Sequence, residues 1–514
     1  MRMQSTAMWM AAVFAALAAC GGADESVPGS GRGALLQKPP PRTFSASARD
    51  LGDQLSATPA GREWLALVGA PVCGVQVHSM EYNTVGARGE ATNATAALML
   101  PRGPDAACSG ARPLLLYGHG TDPQRAYNQA EISDLSRPGA ASGLQLAATF
   151  AAHGYIVVAP NYAGYDRSRL GYHPYLVADQ QSKDMIDALA AARQALPGLW
   201  ARDSGQLFLS GNSQGGHVAL ATQRALQAAG KRVTASAPMS GPYALASYGE
   251  AIFLGRVPLG STLFTPLLVT AYQQAYGNLY RQPDEVYAPR YAPYMATLLP
   301  SNVPLAALWS QGRLPTSALF SRLAPALEPI TPPTTSPAQA PLFALGFGAD
   351  HLVSNAQRLA YLQDARAQPD GVLPEWTTGR PAAMPAHPLR VALKANDLRD
   401  WVPASPLLLC GGQADPTVFF GLNTGVLQAL WSAPSPAAMA PGLLSVLDVD
   451  APVSGPDDPF AAVKTGFALS KASATARGGP AAALLMYHGV LVPPFCQLAA
   501  RSFFARVVAA PPPP

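Results

Sequence analysis

Charge is scarce in this chain of 514 residues: Asp, Glu, Lys and Arg make up 13%, and 35 basic against 31 acidic side chains leave a formal net charge of +4. So small an excess offers no electrostatic footprint for nucleic acid, and no such partner is expected. Cysteine is scarce too, five in all, with no two at metal-ligand spacing, so no metal site is expected. No internal repeat is visible. What the chain has in plenty is 46 glycines, 51 prolines and 49% hydrophobic residues, a globular and loop-rich composition.

The first twenty residues read as a signal: Arg2 supplies a short positive region, and the apolar stretch from Ala7 to Ala19 is too short to span a bilayer as a stable helix. The segment ends Leu17-Ala18-Ala19-Cys20-Gly21. This resembles the lipobox of bacterial lipoproteins, in which the cysteine becomes the lipidated first residue; the plainer alternative is a secretory signal cleaved nearby. The resemblance implies export, and Gly21 in place of aspartate implies the outer membrane, facing the periplasm or the exterior. A membrane is then a partner only through the lipid on Cys20. Residues 21–45, rich in Gly, Pro and basic side chains from Pro28 to Arg42, read as a flexible tether. Setting Cys20 aside leaves Cys73, Cys108, Cys410 and Cys496, an even number in an exported chain, with three pairings open.

Short apolar runs bounded by Gly, Pro or Asn alternate with helical patterns, the mark of a mostly parallel sheet covered on both faces. Strands are expected at Ala96 to Leu100, Pro113 to Tyr117, Tyr155 to Ala159, Gln206 to Ser210, Ala235 to Met239 and Pro406 to Leu409. Helices are expected at Leu144 to Ala152, Gln180 to Ala195 and Gln214 to Ala228. From residue 245 to 401 the pattern turns to short helices broken by proline, with Tyr272, Tyr276 and Tyr280 four apart on one helix face. A structureless loop of that length is improbable in a compact domain, so it reads as an inserted helical cap, with the tyrosines as cap core before substrate lining. The division is then an α/β core in two parts, 46–244 and 402–510, with the cap between them and a disordered tail at 511–514.

The richest motif is Gly211-Asn212-Ser213-Gln214-Gly215, set between the apolar run Leu207-Phe208-Leu209 and the helical pattern from His217. A serine on such a strand-to-helix turn is strained, and glycines at Gly211 and Gly215 let backbone and helix pass close beneath it. Ser213 is therefore the candidate nucleophile. Serine needs a base, and the base an acid that fixes its tautomer. Among eight histidines, His488 lies late in the chain, after Leu484-Leu485-Met486-Tyr487 and before the helix-like Gln497 to Val507, where the order serine, acid, histidine places the base on a loop. His119 precedes the serine, His217 sits on the helix behind it and reads as structural, and His351, beside Asp350, falls in the cap. For the acid, the run Leu407-Leu408-Leu409-Cys410-Gly411-Gly412 leads to Asp415 at the carboxyl end of a strand, where ligands and reactive groups gather. Its plainer use is to cap the next helix; Asp448, Asp450 and Asp457 are the fallbacks. An oxyanion needs preorganised N–H donors. The amide of Gln214 is one, and Leu115-Leu116-Tyr117-Gly118-His119-Gly120-Thr121 offers the second from Thr121 or, next to it, Gly120, with His119 orienting the loop.

With these pieces in place, together with His153-Gly154-Tyr155-Ile156-Val157-Val158-Ala159-Pro160-Asn161-Tyr162 and Gly164, the chain resembles an α/β-hydrolase, and within that superfamily the secretory lipase family of capped extracellular lipases and esterases. The match spans most of residues 95 to 500 and is poorest in the cap. It departs at Asn161, where many relatives carry aspartate. The resemblance implies an α/β-hydrolase fold, a serine esterase acting on a small-molecule ester, no cofactor, and a cap that shapes the acyl pocket; the apolar, tyrosine-bearing cap of this chain itself favours apolar or aromatic acyl groups over charged ones. It also implies the pairing Cys410 with Cys496, clamping the acid and base loops, which leaves Cys73 with Cys108; four free thiols are the alternative. Two other functions stay open: a peptidase of the prolyl oligopeptidase kind, against which the cap lacks a Glu-Glu pair, and a non-catalytic surface lipoprotein. Water and an alcohol acceptor are not distinguished, so acyl transfer is left beside hydrolysis.

Overall fold

The short apolar runs become the inner strands of a single sheet. In the computed structural model, which describes residues 31–322, 340–434 and 438–509, these are β1 (Arg42–Ala46), β2 (Gly74–Val85), β3 (Ala91–Arg102), β4 (Ala111–Gly118), β5 (Ile156–Pro160), β6 (Arg202–Asn212) and β7 (Ala235–Met239). A two-residue pair, β8 (Phe320–Ser321) and β9 (Phe347–Gly348), lies inside the insertion, and β10 (Leu407–Gly411) and β11 (Leu444–Asp448) complete the sheet after it. The sheet runs β1-β2-β3-β5-β4-β6-β7-β10-β11. β1, β2 and β3 pair antiparallel, β3 meets β5 antiparallel, and from β5 onward all pairs are parallel.

Side chains alternate across this sheet. Leu114, Leu116, Val158 and Leu209 face one apolar layer with Met185 and Val218 from the helices Ala178–Ala195 and Gln214–Ala228. Leu115, Val157 and Phe208 face the other, where Phe504 of the Val492–Ala509 helix lies 4.5 Å from the Phe208 ring. Burial on both faces is why these strands read as continuous apolar runs. All six expected strands are present, β3 and β6 several residues longer than expected. The first expected helix begins earlier, at Ala140–Thr149, and ends in a separate turn at Ala151–His153.

Besides the short pair β8 and β9, three strands of the sheet were not expected. β2, GVQVHSMEYNTV, interleaves polar residues with apolar ones because it is an outer strand of the antiparallel end, and β11 is a half-buried edge. β1 corrects the tether. The Gly33 amide donates to Asn83 O at 2.8 Å, the Arg32 guanidinium grips Asp187 at 3.0 Å, Leu35 is buried against Tyr82, and β1 closes the edge of β2. The open edge of β2 has backbone groups to satisfy, and residues 32–46 satisfy them. The signal segment, Cys20, residues 21–30 of the tether and the 511–514 tail lie outside the described residues.

The insertion leaves the sheet after β7 and returns at β10, with the helices Leu245–Phe253, Ser261–Tyr276, Asn355–Ala367 and Pro388–Ala395 around its own apolar core. Of the tyrosine stripe, Tyr272 is wholly buried and Tyr276 is partly exposed; Tyr280 lies beyond the helix, which Gly277 ends at φ 70°. Buried ion pairs tie the cap's helices together: Arg399 to Asp370 and Asp397, and Arg390 to Glu250 and Asp364, at 2.7 to 2.8 Å. The two disulfides join Cys73 to Cys108 and Cys410 to Cys496.

Candidate active site

β6 ends in the centre of the sheet, and the chain must reverse into the Gln214–Ala228 helix within one residue. Ser213 takes that turn at φ 58° and ψ −120°, a conformation that costs on the order of 1–3 kcal/mol for a side-chain-bearing residue. The flanking glycines make it sterically feasible. A Cβ on Gly211 would lie 2.3 Å from Gly215 O, and one on Gly215 would lie 2.0 Å from Gly118 O. The serine amide is held by Met239 O at 2.9 Å, and the positive end of the helix dipole lies beneath its side chain.

Asp415 and His488 meet Ser213 from the far side. His488 Nε2 lies 2.8 Å from Ser213 Oγ, and His488 Nδ1 lies 2.6 Å from Asp415 Oδ2. An ionised carboxylate only accepts, so Nδ1 carries the proton and Nε2 is left free to accept from the serine hydroxyl. Asp415 is buried, and its other oxygen accepts the amides of Thr417 at 2.8 Å and Val418 at 3.0 Å. It thus caps the following turn and faces the histidine at once. The fallback aspartates lie elsewhere: Asp448 caps Gln413 and Asp450 amides, Asp450 binds Lys471 and Tyr487, and Asp457 is exposed.

His488 does not sit on a loop. It occupies a wide helical turn, Tyr487–Leu491, between the helices Ala461–Met486 and Val492–Ala509. The apolar run before it is helical after a break at Gly479, with Ala483 buried and Leu485 exposed. Tyr487 fastens this turn to the acid loop, donating to Asp450 Oδ2 at 2.8 Å and accepting from the Ala414 amide at 3.3 Å.

The β4 loop passes beside the nucleophile. A Cβ on Gly120 would lie 3.6 Å from Ser213 Cβ. Among the described residues the amides of Gly120, Thr121 and Gln214 donate no hydrogen bond within the protein. His119 is stacked between Tyr127 and Tyr162, each 4.2 Å away, and its ring nitrogens face Gly120 O and Asn161 O. Burial pushes its pKa down to about 4. His217 is likewise buried against Asn396 O, and His351 lies in the cap with Ala349 O as its partner.

Two side chains near the site carry no signal in the sequence. His173 donates from Nδ1 to Ala163 O at 2.9 Å and meets the Gln214 side-chain amide at 2.6 Å; Tyr175 Oη lies 2.8 Å from Thr121 Oγ1. Neither stands in a motif, and only the folded path brings 173–175 against both 121 and 214.

An apolar cavity opens at Ser213 and runs into the cap. Its wall is apolar, with Leu245, Ile252, Phe264, Leu268 and Leu393 beside Tyr175 and Tyr248, and the tyrosines of the expected stripe take no part in it.

No protein-family model matches the chain, and no curated protein matches it in sequence. Solved structures do. The rice cell wall degrading esterase LipA from Xanthomonas oryzae superposes with a TM-score of 0.62 at 27% identity, covering 90% of this chain and 98% of that one. Its ligand-bound form gives 0.60 at 25%, covering 90% and 99%. A putative hydrolase from Legionella pneumophila gives 0.59 at 18%, covering 92% and 98%. The fold is that of an α/β-hydrolase, with a mostly parallel sheet and helices on both faces.

Proposed function

We propose that this ester hydrolase acts through an acyl-enzyme on Ser213 and cleaves carboxylic esters whose acyl group is apolar. The observation that carries the reading is the unbroken chain Ser213 to His488 to Asp415 at the mouth of an apolar cavity. His488 Nε2 takes the proton of Ser213 Oγ as that oxygen attacks the ester carbonyl, and Asp415 stabilises the imidazolium. The oxyanion sits against the free amides of Gln214 and of Thr121 or Gly120. Collapse breaks the ester C–O bond, and the leaving alkoxide takes the proton from Nε2. Water, deprotonated by the same nitrogen, then attacks the acyl carbon; collapse breaks the C–Oγ bond, Ser213 Oγ takes the proton back from Nε2, and the acid leaves. Likeness to an esterase over nearly the whole chain supports the reaction class. The cavity supports an apolar acyl group, since burying a charged one there has no partner to offset its desolvation.

The test is turnover of p-nitrophenyl esters from acetate to palmitate by the chain lacking residues 1–20, beside its Ser213→Ala variant. Turnover of the apolar esters is expected to fall by about 10³-fold or more in the variant, as for loss of any nucleophile of this kind. Equal rates on highly charged acyl groups would overturn the substrate class. For location, we propose export with lipid on Cys20; two disulfides among the described residues suit an oxidising compartment. Incorporation of labelled palmitate into the wild type, lost in Cys20→Ala, tests it.

A further inference from the structure

The strained serine raises a question of geometry. The ψ of Ser213 sets the direction of the Gln214 N–H, and a backbone at φ 58°, ψ −120° relaxes unless something holds the next peptide in place. The second donor loop, Gly118 to Asp122, belongs to no helix beyond β4 and needs the same help. The helix amides of Gly216 and His217 donate to Ser213 O, and Tyr162 and Tyr165 donate to His119 O and Asp122 O; the side chains of Gln214 and Thr121, one from each donor residue, are both held by one short segment.

His173 accepts the Gln214 side-chain amide on Nε2 at 2.6 Å while Nδ1–H donates to Ala163 O at 2.9 Å. The opposite tautomer would set a lone pair against a carbonyl, so the ring acts as acceptor toward Gln214. Tyr165 at 4.7 Å and Tyr162 at 5.6 Å sandwich the ring. Two residues on, Tyr175 Oη bonds Thr121 Oγ1 at 2.8 Å. The segment itself is fixed on every side: Tyr175 N donates to His173 O, Leu176 N to Gln181 Oε1, and Tyr272 of the cap donates to Leu176 O. Residues 173 to 177 are all buried.

We propose that His173-Pro174-Tyr175 is the spacer of the oxyanion hole, with His173 hooking Gln214 and Tyr175 hooking Thr121, so that one rigid segment sets the distance and direction of the two donor peptides. These are positioning residues. They touch no reacting atom, and their effect appears where charge develops on the ester oxygen. The proposal rests on the serine-hydrolase reading above.

The test uses the mature chain with Tyr175→Phe, Thr121→Val, Gln214→Leu and the Tyr175→Phe/Thr121→Val double variant. Each is assayed for kcat and KM on p-nitrophenyl butyrate, for inhibition by a trifluoromethyl ketone, and for thermal midpoint. Displacing a donor without removing it is expected to lower kcat by roughly tenfold, less than the 10²–10³ of losing one outright, with KM unchanged and ketone affinity falling in step with kcat. Because Tyr175 and Thr121 share one bond, the double variant is expected to match the worse single one. Should Tyr175→Phe not fold, Thr121→Val reads the same bond from the other side and Gln214→Leu reads the second hook. Wild type labelled by a serine phosphonate, with Thr121→Val and Gln214→Leu turning over at its rate, would overturn the spacer alone, as would losses that multiply in the double variant. A folded wild type that neither labels nor turns over would overturn the hydrolase reading and the spacer with it.

Discussion

Asn161 shows how much one atom pair decides. Its side-chain amide donates to Thr95 Oγ1 at 2.9 Å and Asn128 Oδ1 at 3.2 Å, and its oxygen accepts the Gln129 amide at 2.9 Å. A carboxylate, which only accepts, would face Asn128 Oδ1 without a proton, so this environment suits the amide and explains the departure from aspartate. The residue is wholly buried, so Asn161→Asp is expected to cost about 1–3 kcal/mol, read as a lower urea midpoint at pH 8 with the slope unchanged; an unaltered midpoint would refute the account. At this scale the sequence is legible where chemistry restricts the choice of residue. Ser213 between glycines, Asp415 after a glycine turn and His488 near the end stand out because few residue types do those jobs. His173 and Tyr175 do not, because a histidine or tyrosine hooking a neighbour looks like any buried aromatic until the fold places it.

Elements differ in the same way. The inner strands were readable from composition because both faces are covered, whereas β2, which buries polar side chains such as His78 and Ser79, and β11, half-buried, carry mixed sequences. The helix ending at Met486 reads in sequence as an apolar run leading to a loop, since its apolar residues suit several structures and only packing in the fold selects one. The two disulfides separate stability from geometry. They close 35 and 86 residues of sequence, and loop entropy gives both a similar contribution, about 4 kcal/mol. Their places differ, since Cys410 lies one residue before the end of β10, on the approach to Asp415, and Cys496 lies early in the Val492–Ala509 helix that follows His488. Replacing Cys73 and Cys108 by alanine is expected to lower the denaturation midpoint and leave kcat within about twofold, whereas replacing Cys410 and Cys496 lowers the midpoint by a similar amount and kcat by roughly tenfold or more, the size of effect a small misplacement of reacting groups produces. Equal kcat in both pairs would show that Tyr487 and Asp450 hold the histidine turn unaided.

Across the whole molecule, histidines far apart act on stability together. His119 under the oxyanion loop, His173 behind Gln214 and His217 on the helix are each almost wholly buried, and burial pushes their pKa values down to about 4, 3 and 4. Unfolded, each titrates near 6.5, so below that pH the unfolded chain binds protons that the folded one refuses. Their contribution is therefore full above about pH 6.5 and is lost as pH falls toward 4. Buried carboxyls work the other way. Burial raises Asp184 and Glu250 to about 7, so what they contribute is present at low pH and fades as pH rises through that value. The net curve mixes both signs, and a difference between variants isolates one. His217→Gln keeps a donor for Asn396 O and lies outside the triad, so its stability is expected to fall less than the wild type's between pH 8 and pH 5, by about 2 kcal/mol, the linkage of a single group shifted from 6.5 to about 4. Urea unfolding of both proteins at the two pH values gives that difference directly, and parallel losses would mean that His217 takes up its proton in the folded protein and that the burial around it is not what the packing requires.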